Sequence, residues 1–251
     1  MRTIALALLA LLARTPSATA QGPVLPLPAD DQQMITTMLG SGVVGQALPS
    51  NSIGDVSVYF PLVERTSSFR VTSGPNAGKT QSLSVKKGQR PNGNPAWRFE
   101  MAPSLFAFIN ADGGNLRLVS LSDTSEGLLI ITTPSDPFLV QGMQPGETRR
   151  VAQNVSVRYL DDPSDQRYAG TVNGELTYVG TYQVTVPAGT YPAILLRQKL
   201  SGKVGPANAE DTAYYFFAPN VGVVAMIRQE DVEAFWVVHV DTKMGKVLAG
   251  S

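Results

Sequence analysis

The stretch Val184–Leu196, VTVPAGTYPAILL, contains two runs of β-forming residues around a four-residue turn that ends in Pro187-Ala188-Gly189. Pro187 presets φ to about −65° for the second residue of such a turn, and Gly189 tolerates the positive φ needed on its exit. Before and after the turn, apolar residues recur at every second position. The stretch therefore predicts a β-hairpin with one buried face.

A second turn of the same kind lies in the segment FFAPNVG, where Pro219, Asn220 and Gly222 stand between two apolar runs. These residue types favour turns because of their backbone preferences and, for asparagine, its short hydrogen-bonding side chain. Tyr215 and Phe217 precede the turn at one parity. Alternate residues of a strand face opposite sides of a sheet, so this pair is either core or a ligand-facing aromatic patch.

The same two-residue period covers most of the remaining chain, beginning with Val56, Val58, Phe60 and Leu62. Turn signals recur roughly every 8–12 residues, which indicates an all-β fold. Residues 134–145 are rich in proline and predict an irregular crossover. The pattern indicates an antiparallel sandwich, barrel or curved sheet, and we expect it to form a single domain.

One short helix is expected near the N-terminus, over residues 31–39. Met34, Ile35, Met38 and Leu39 have helical spacing, and Asp30 is suited to cap the first turn. Such a helix could plug or line the concave side of the sheet.

The first twenty residues have the pattern of a secretory signal peptide: a basic start, an apolar run and a small-x-small site ending at Ala20. Cleavage after Ala20 leaves a net charge of −2 and no membrane anchor. We therefore expect residues 1–20 to be a signal peptide, 21–54 a Pro/Gly-rich lead-in with the helix, and 55–251 the β domain. This arrangement predicts an exported protein, which we expect to be a monomer.

No catalytic, cofactor or metal site is predicted. The chain has no cysteine and a single histidine, His239, so thiol chemistry and a histidine-based zinc site are excluded. Its basic residues form no cluster larger than a pair, which argues against nucleic acid as a partner. Asp161, Asp162 and Asp165 fit a solvated hairpin tip better than a calcium loop. Acids that could form a hydrolytic pair cannot be matched from sequence; by type they are Glu100, Glu147, Glu175, Glu230 and Glu233.

The motifs of the second half resemble a family of exported bacterial β-proteins of unknown function. The resemblance rests on GTYQVTVPAGTYPA (180–193), on YFFAPNVGVV (215–224) and on QPGET (144–148), which is followed by Arg149 where that family often has Trp. It implies a strongly curved sheet similar to the half-barrel of periplasmic lipoprotein carriers, and with it a bacterial, periplasmic location. With this resemblance we predict a single strongly curved antiparallel sheet, a half-barrel or open barrel, with a β-sandwich as the alternative. The resemblance implies no known activity and no catalytic residues.

These observations lead to three functional hypotheses. The first is a non-enzymatic protein that binds a lipid-like or extended ligand in the concave face of its sheet, with no cofactor. The second is an envelope scaffold that binds another envelope protein through an exposed strand edge. The third is a carboxylate-dependent hydrolase, which requires two or three acids to converge in a cleft.

Overall fold

A computed structural model describes residues 22–234 and 238–250, with the backbone alone for 232–234 and 238–242. The predicted signal peptide and the side chain of His239 lie outside what is described. The described part contains two helices and thirteen strands, and the strands form one all-antiparallel sheet. No helix among these residues is long and apolar enough to span a membrane.

The elements follow the chain in this order: α1 (Ala29–Leu39), β1 (Val44–Leu48), α2 (Val56–Tyr59), β2 (Arg65–Ser73), β3 (Thr80–Gln89), β4 (Pro95–Ala102), β5 (Leu105–Asp112), β6 (Asn115–Asp123), β7 (Leu128–Leu139), β8 (Thr148–Tyr159), β9 (Gln166–Val186), β10 (Gly189–Val204), β11 (Ala207–Ala218), β12 (Gly222–Ala234) and β13 (Val238–Gly250).

Both predicted hairpins are confirmed. In the first, Val186 of β9 pairs with Gly189 of β10, so Pro187 and Ala188 form the loop, and Gly189 has a φ of 141°. In the second, Ala218 of β11 pairs with Gly222 of β12. Asn220 in this turn has a φ of 62°, and its backbone N–H donates to the Val58 carbonyl at 2.6 Å.

The sheet closes into a barrel, so the half-barrel prediction and the sandwich alternative are both wrong. From β2 to β13 each strand pairs with the next along the chain, and β13 also pairs with β2 over Gly245↔Ser73 to Gly250↔Ser68. A half-barrel would leave β2 and β13 as free edges, whereas this pairing joins twelve strands in a ring. The all-β, antiparallel and strongly curved parts of the prediction hold.

The predicted helix is present as α1, but it lies outside the barrel and does not plug it. Its buried residues Ile35, Met38 and Leu39 pack over β2, β12 and β13, across the seam where the ring closes. The Thr72 hydroxyl of β2 donates to the Met38 carbonyl at 2.7 Å. A Cβ on Gly245 of β13 would lie 2.3 Å from that same carbonyl oxygen, so the helix end rests directly on the strand backbone.

The segment that fills one end of the barrel is α2, where the sequence predicts a strand. Asp55 caps this helix by accepting a hydrogen bond from the Ser57 N–H at 2.8 Å. The following Phe60 is 1% exposed, and its ring lies 5.4 Å from the rings of both Phe99 and Phe138. The chain therefore turns inward here, and the apolar alternation that suggests a strand comes from a one-turn helix followed by a buried aromatic.

Two further segments differ from expectation. β1, within the predicted lead-in, pairs with β9 as a thirteenth strand beside the ring. Residues 134–139 extend β7 instead of forming a crossover, but they pair only with β6, because the pairing with β8 ends at Thr133. This one-sided stretch carries Asp136, which pairs with Leu118 of β6.

Candidate ligand-binding cavity

The interior of the barrel has two parts, an aromatic cluster and a cavity. The cluster, at the end closed by α2, consists of Phe60, Phe99, Phe138, Tyr215 and Phe217, with ring centroids 5.4–6.5 Å apart. Beyond it is a cavity of about 330 Å³. It extends toward Val204 and Ala207, which flank the β10–β11 turn at the other end of the barrel.

Most of the cavity wall is apolar and comes from strands on several sides of the ring. The aliphatic lining residues are Met101, Leu118, Leu121, Leu128, Ile130, Val155, Val157, Val172, Leu200, Val204, Ala207, Ala209 and Ala213. They occupy alternate positions of their strands, as inward-facing residues of a barrel do, except in β6, where the pairing is irregular between Leu118 and Ser120 and the next lining residue is Leu121. A cavity of this size and character is typical of sites for small apolar ligands.

A polar group in this wall is centred on Asp136. Its two carboxylate oxygens accept hydrogen bonds from Gln198 Nε2 at 2.8 and 2.9 Å, across the interior from β10 to β7. Gln153 Nε2 donates to the Pro134 carbonyl at 3.2 Å beside it. Burial raises the pKa of Asp136 to about 6, an effect that the hydrogen bond from Gln198 opposes and the nearby charge of Asp211 increases. Its carboxyl therefore titrates close to neutral pH.

A second polar group is centred on Arg228 of β12. Its Nη2 lies 3.3 Å from Asp211 Oδ2 and 3.6 Å from Glu230 Oε2. Burial disfavours the guanidinium charge, but the two carboxylates outweigh it and raise the pKa of Arg228 above its usual value. Arg228 thus stays charged, held between two acids.

Three polar atoms in the cavity wall are buried without a hydrogen-bond partner among the described residues: Thr132 Oγ1, Gln153 Oε1 and Asp211 Oδ1. Gln153 is only 4% exposed. Buried polar atoms in native proteins almost always have a partner, which can be a ligand or water. All three atoms can accept a hydrogen bond.

Lys246 of β13 is a further charged residue turned into the barrel. It is fully buried, and its ammonium group donates to the carbonyl of Met101, a cavity-lining residue, at 2.7 Å. Burial lowers the pKa of Lys246 to about 8. No carboxylate among the described residues forms an ion pair with it.

The structure separates the residues singled out from sequence. Tyr215 lines the cavity, whereas Phe217 is fully buried in the aromatic cluster and does not line it. The turn residues Pro187, Ala188, Gly189, Pro219, Asn220 and Gly222 lie at the α2 end of the barrel, away from the cavity lining. Contact between Tyr215 and a ligand stays a prediction.

Sequence reasoning missed Asp136, Gln153, Gln198, Asp211 and Arg228. The available signal was a polar residue at an inward-facing parity, as in Val151-Ala152-Gln153-Asn154-Val155. That signal is weak, because parity alone does not tell which side of a strand faces inward when both sides carry apolar residues.

The five glutamates that the sequence offers for a hydrolytic pair lie in different parts of the structure. Glu230 lines the cavity, Glu100 lies against Arg98 and Lys86, and Glu147 accepts from the Gln144 N–H and Arg149. Glu175 lines a polar groove on the outer surface, and the side chain of Glu233 is outside the described residues. Asp162 serves in its turn, accepting from the N–H and hydroxyl of Ser164, and these bonds lower its pKa.

Comparisons with known proteins add little to this picture. No protein-family model matches the chain, and no curated protein matches its sequence. Among solved structures, it is similar to a "putative lipoprotein" from Parabacteroides distasonis at 11% identity and a TM-score of 0.35, with 77% of this chain and 97% of that one covered. A TM-score this low establishes no shared fold, and the family resemblance of the 180–224 motifs stays a prediction.

Proposed function

We propose that this chain is an exported, non-enzymatic binding protein that holds a small lipid-like ligand inside its barrel. The observation that carries the proposal is the cavity of about 330 Å³ with predominantly aliphatic walls. Export is proposed from the signal-peptide pattern of residues 1–20. The binding surface is the barrel interior and not the open concave face that the sequence suggests.

Native mass spectrometry of the protein, purified without detergent from the cells that export it, tests this function. We expect a second species heavier than the protein by the mass of a small lipid. Ala213→Leu adds bulk to the cavity wall and should remove that species. Thr212→Leu, on the neighbouring outward-facing position of β11, should retain it. A ligand-free mass that persists after incubation with envelope lipids would rule the proposal out.

The interaction-module hypothesis gains no support from the fold. It requires a long unpaired strand edge. Among the described strands, closure of the ring leaves open the outer side of β1, which is only five residues long, and short one-sided stretches such as residues 134–139 of β7.

A hydrolase is the second candidate, because three acids do converge on the cavity: Asp136, Asp211 and Glu230. Asp136 has a raised pKa, whereas the neighbouring carboxylate of Asp211 is paired with Arg228. Acid–base catalysis uses such pairs, in which one carboxyl group supplies the proton and the other stays ionised. Hydrolysis of p-nitrophenyl octanoate tests it. Turnover that is lost in Asp136→Asn and retained in Glu210→Gln, on the outer side of β11, would favour the enzyme over the carrier.

A further inference from the structure

We propose that the cavity selects an amphiphile whose head group is a primary amine, bound as its ammonium ion among the acids of the barrel wall. The inference rests on the proposed function and names the chemical class of its ligand. It is carried by the charges that line the cavity and by the acceptors left without partners.

The charge of the cavity wall favours a cation. Three carboxylates line it, those of Asp136, Asp211 and Glu230, against one guanidinium, that of Arg228. Arg228 is already bracketed by Asp211 and Glu230, so it is poorly placed to accept a carboxylate ligand. Lys246, whose ammonium group donates to the carbonyl of the lining residue Met101, is a second cation beside this wall. Three acids therefore stand against two cations, and the balance stays negative while Asp136 is ionised. Charges a few ångströms apart interact strongly in a poorly solvated site.

The hydrogen-bonding capacity of the wall points the same way. Thr132 Oγ1, Gln153 Oε1 and Asp211 Oδ1 can all accept, and none has a donor among the described residues. An ammonium group offers three donors and no acceptor, so it complements such a set, whereas a carboxylate head would add acceptors to acceptors. Of the three unpaired acceptors, Gln153 Oε1 gives the strongest argument for a donor on the ligand, because the Gln153 side chain is only 4% exposed.

The aliphatic wall suits the rest of such a molecule. The cavity volume of about 330 Å³ is at the lower end of the range for ligand pockets, which suits a small amphiphile with a medium-length alkyl chain. Burial of that chain supplies affinity, and the polar groups supply selectivity.

Asp136 makes the selection sensitive to pH. The groups facing it are Gln198 on β10, Gln153 on β8 and both Asp211 and Tyr215 on β11, with Arg228 and Glu230 of β12 beyond them. With a pKa of about 6, Asp136 is ionised above neutral pH and protonated well below it. Acidification therefore removes one negative charge from the wall, and it should weaken the binding of an amine more than the binding of an alcohol.

The test compares three probes with one alkyl chain, namely octylamine, 1-octanol and octanoate, by calorimetric titration of the full chain. At about pH 7.5 we expect octylamine to bind about tenfold or more tightly than octanoate, with 1-octanol between them. Asp211→Asn should weaken octylamine about tenfold and 1-octanol much less, while Glu210→Gln on the outer side of β11 should change neither. At about pH 5 the ratio of the octylamine affinity to the 1-octanol affinity should be smaller than at about pH 7.5.

Two failures are distinguishable. If 1-octanol or octanoate binds and octylamine shows no advantage, or Asp211→Asn acts no differently from Glu210→Gln, the amine preference is wrong and the carrier function stands. If no probe binds, and longer chains with each head group also fail, both proposals are wrong.

Discussion

Tyr214 and Tyr215 are neighbours in β11 and face opposite sides of the barrel wall. The Tyr214 hydroxyl donates to Asp31 of α1 at 2.9 Å on the outside, whereas the Tyr215 ring lies 5.4 Å from Phe138 on the inside and lines the cavity. One strand thus connects the helix that covers the seam with the interior that holds the candidate site.

Asp31 is the anchor of α1, and we expect its partners to matter for stability. It is 1% exposed, and Arg197 Nη1 lies 2.8 and 2.6 Å from its two oxygens. Arg197→Met should lower the free energy of unfolding by about 3–5 kcal/mol, because it leaves a buried carboxylate without its cation. Tyr214→Phe removes one hydrogen bond to that carboxylate and should cost about 1.5–3 kcal/mol.

Urea denaturation of both variants measures these costs. An Arg197→Met variant that is no less stable than Tyr214→Phe would show that the ion pair contributes no more than a single hydrogen bond, contrary to this expectation.

Gly245 tests whether α1 must lie on the closing seam. A Cβ there would lie 2.3 Å from the Met38 carbonyl oxygen and 2.6 Å from the Thr72 hydroxyl, so Gly245→Ala should displace the helix end and destabilise the fold. Gly250, on the same strand, has open space around its Cβ position and provides the matched control. Thermal melting should show a clear fall for Gly245→Ala and little change for Gly250→Ala; equal melting temperatures would contradict the close approach.

Lys246 predicts a stability that rises with pH in the alkaline range. Because its pKa is lowered from 10.5 to about 8 by burial, the unfolded chain binds more protons between these values, and folding becomes more favourable as the pH rises through them. Lys246→Met should be more stable than the natural protein near neutral pH, and the difference should narrow on going to high pH. Urea denaturation across this pH range measures how the free energy of unfolding of each protein changes with pH. If the two proteins differ in stability by the same amount at every pH, the Lys246 amine is not desolvated.

How far the sequence determines the fold depends on the range of the interactions. Hairpin turns are local, and Pro187 and Asn220 are sufficient to place theirs. Closure is not local, because it depends on β13 pairing with β2 across most of the chain, with no turn between them to indicate it. The same holds for α2, whose apolar alternation matches a strand until Phe60 packs into the barrel.

The candidate site was even less accessible to sequence. Asp136 and Gln198 are far apart in the chain, and each resembles an ordinary polar residue of a strand until the ring brings them within 2.8 Å. Tyr215, which lines the cavity, is a candidate from sequence because aromatic clusters are conspicuous. The acids were not, because carboxylates that line a barrel and carboxylates on its surface have the same local pattern.

Asp136 predicts the opposite pH dependence to Lys246. Its pKa is raised from 3.8 to about 6, so the folded protein binds more protons between these values and loses stability as the pH rises through them. Asp136→Asn keeps the shape without the charge and should flatten this part of the stability profile, with a gain near neutral pH. Asp162→Asn, at an exposed turn whose carboxylate pKa is lowered, should not produce that gain. Urea denaturation between about pH 4 and pH 7 distinguishes the two variants. If Asp136→Asn is no more stable than the natural protein near neutral pH, the carboxylate does not incur the burial cost that its surroundings imply.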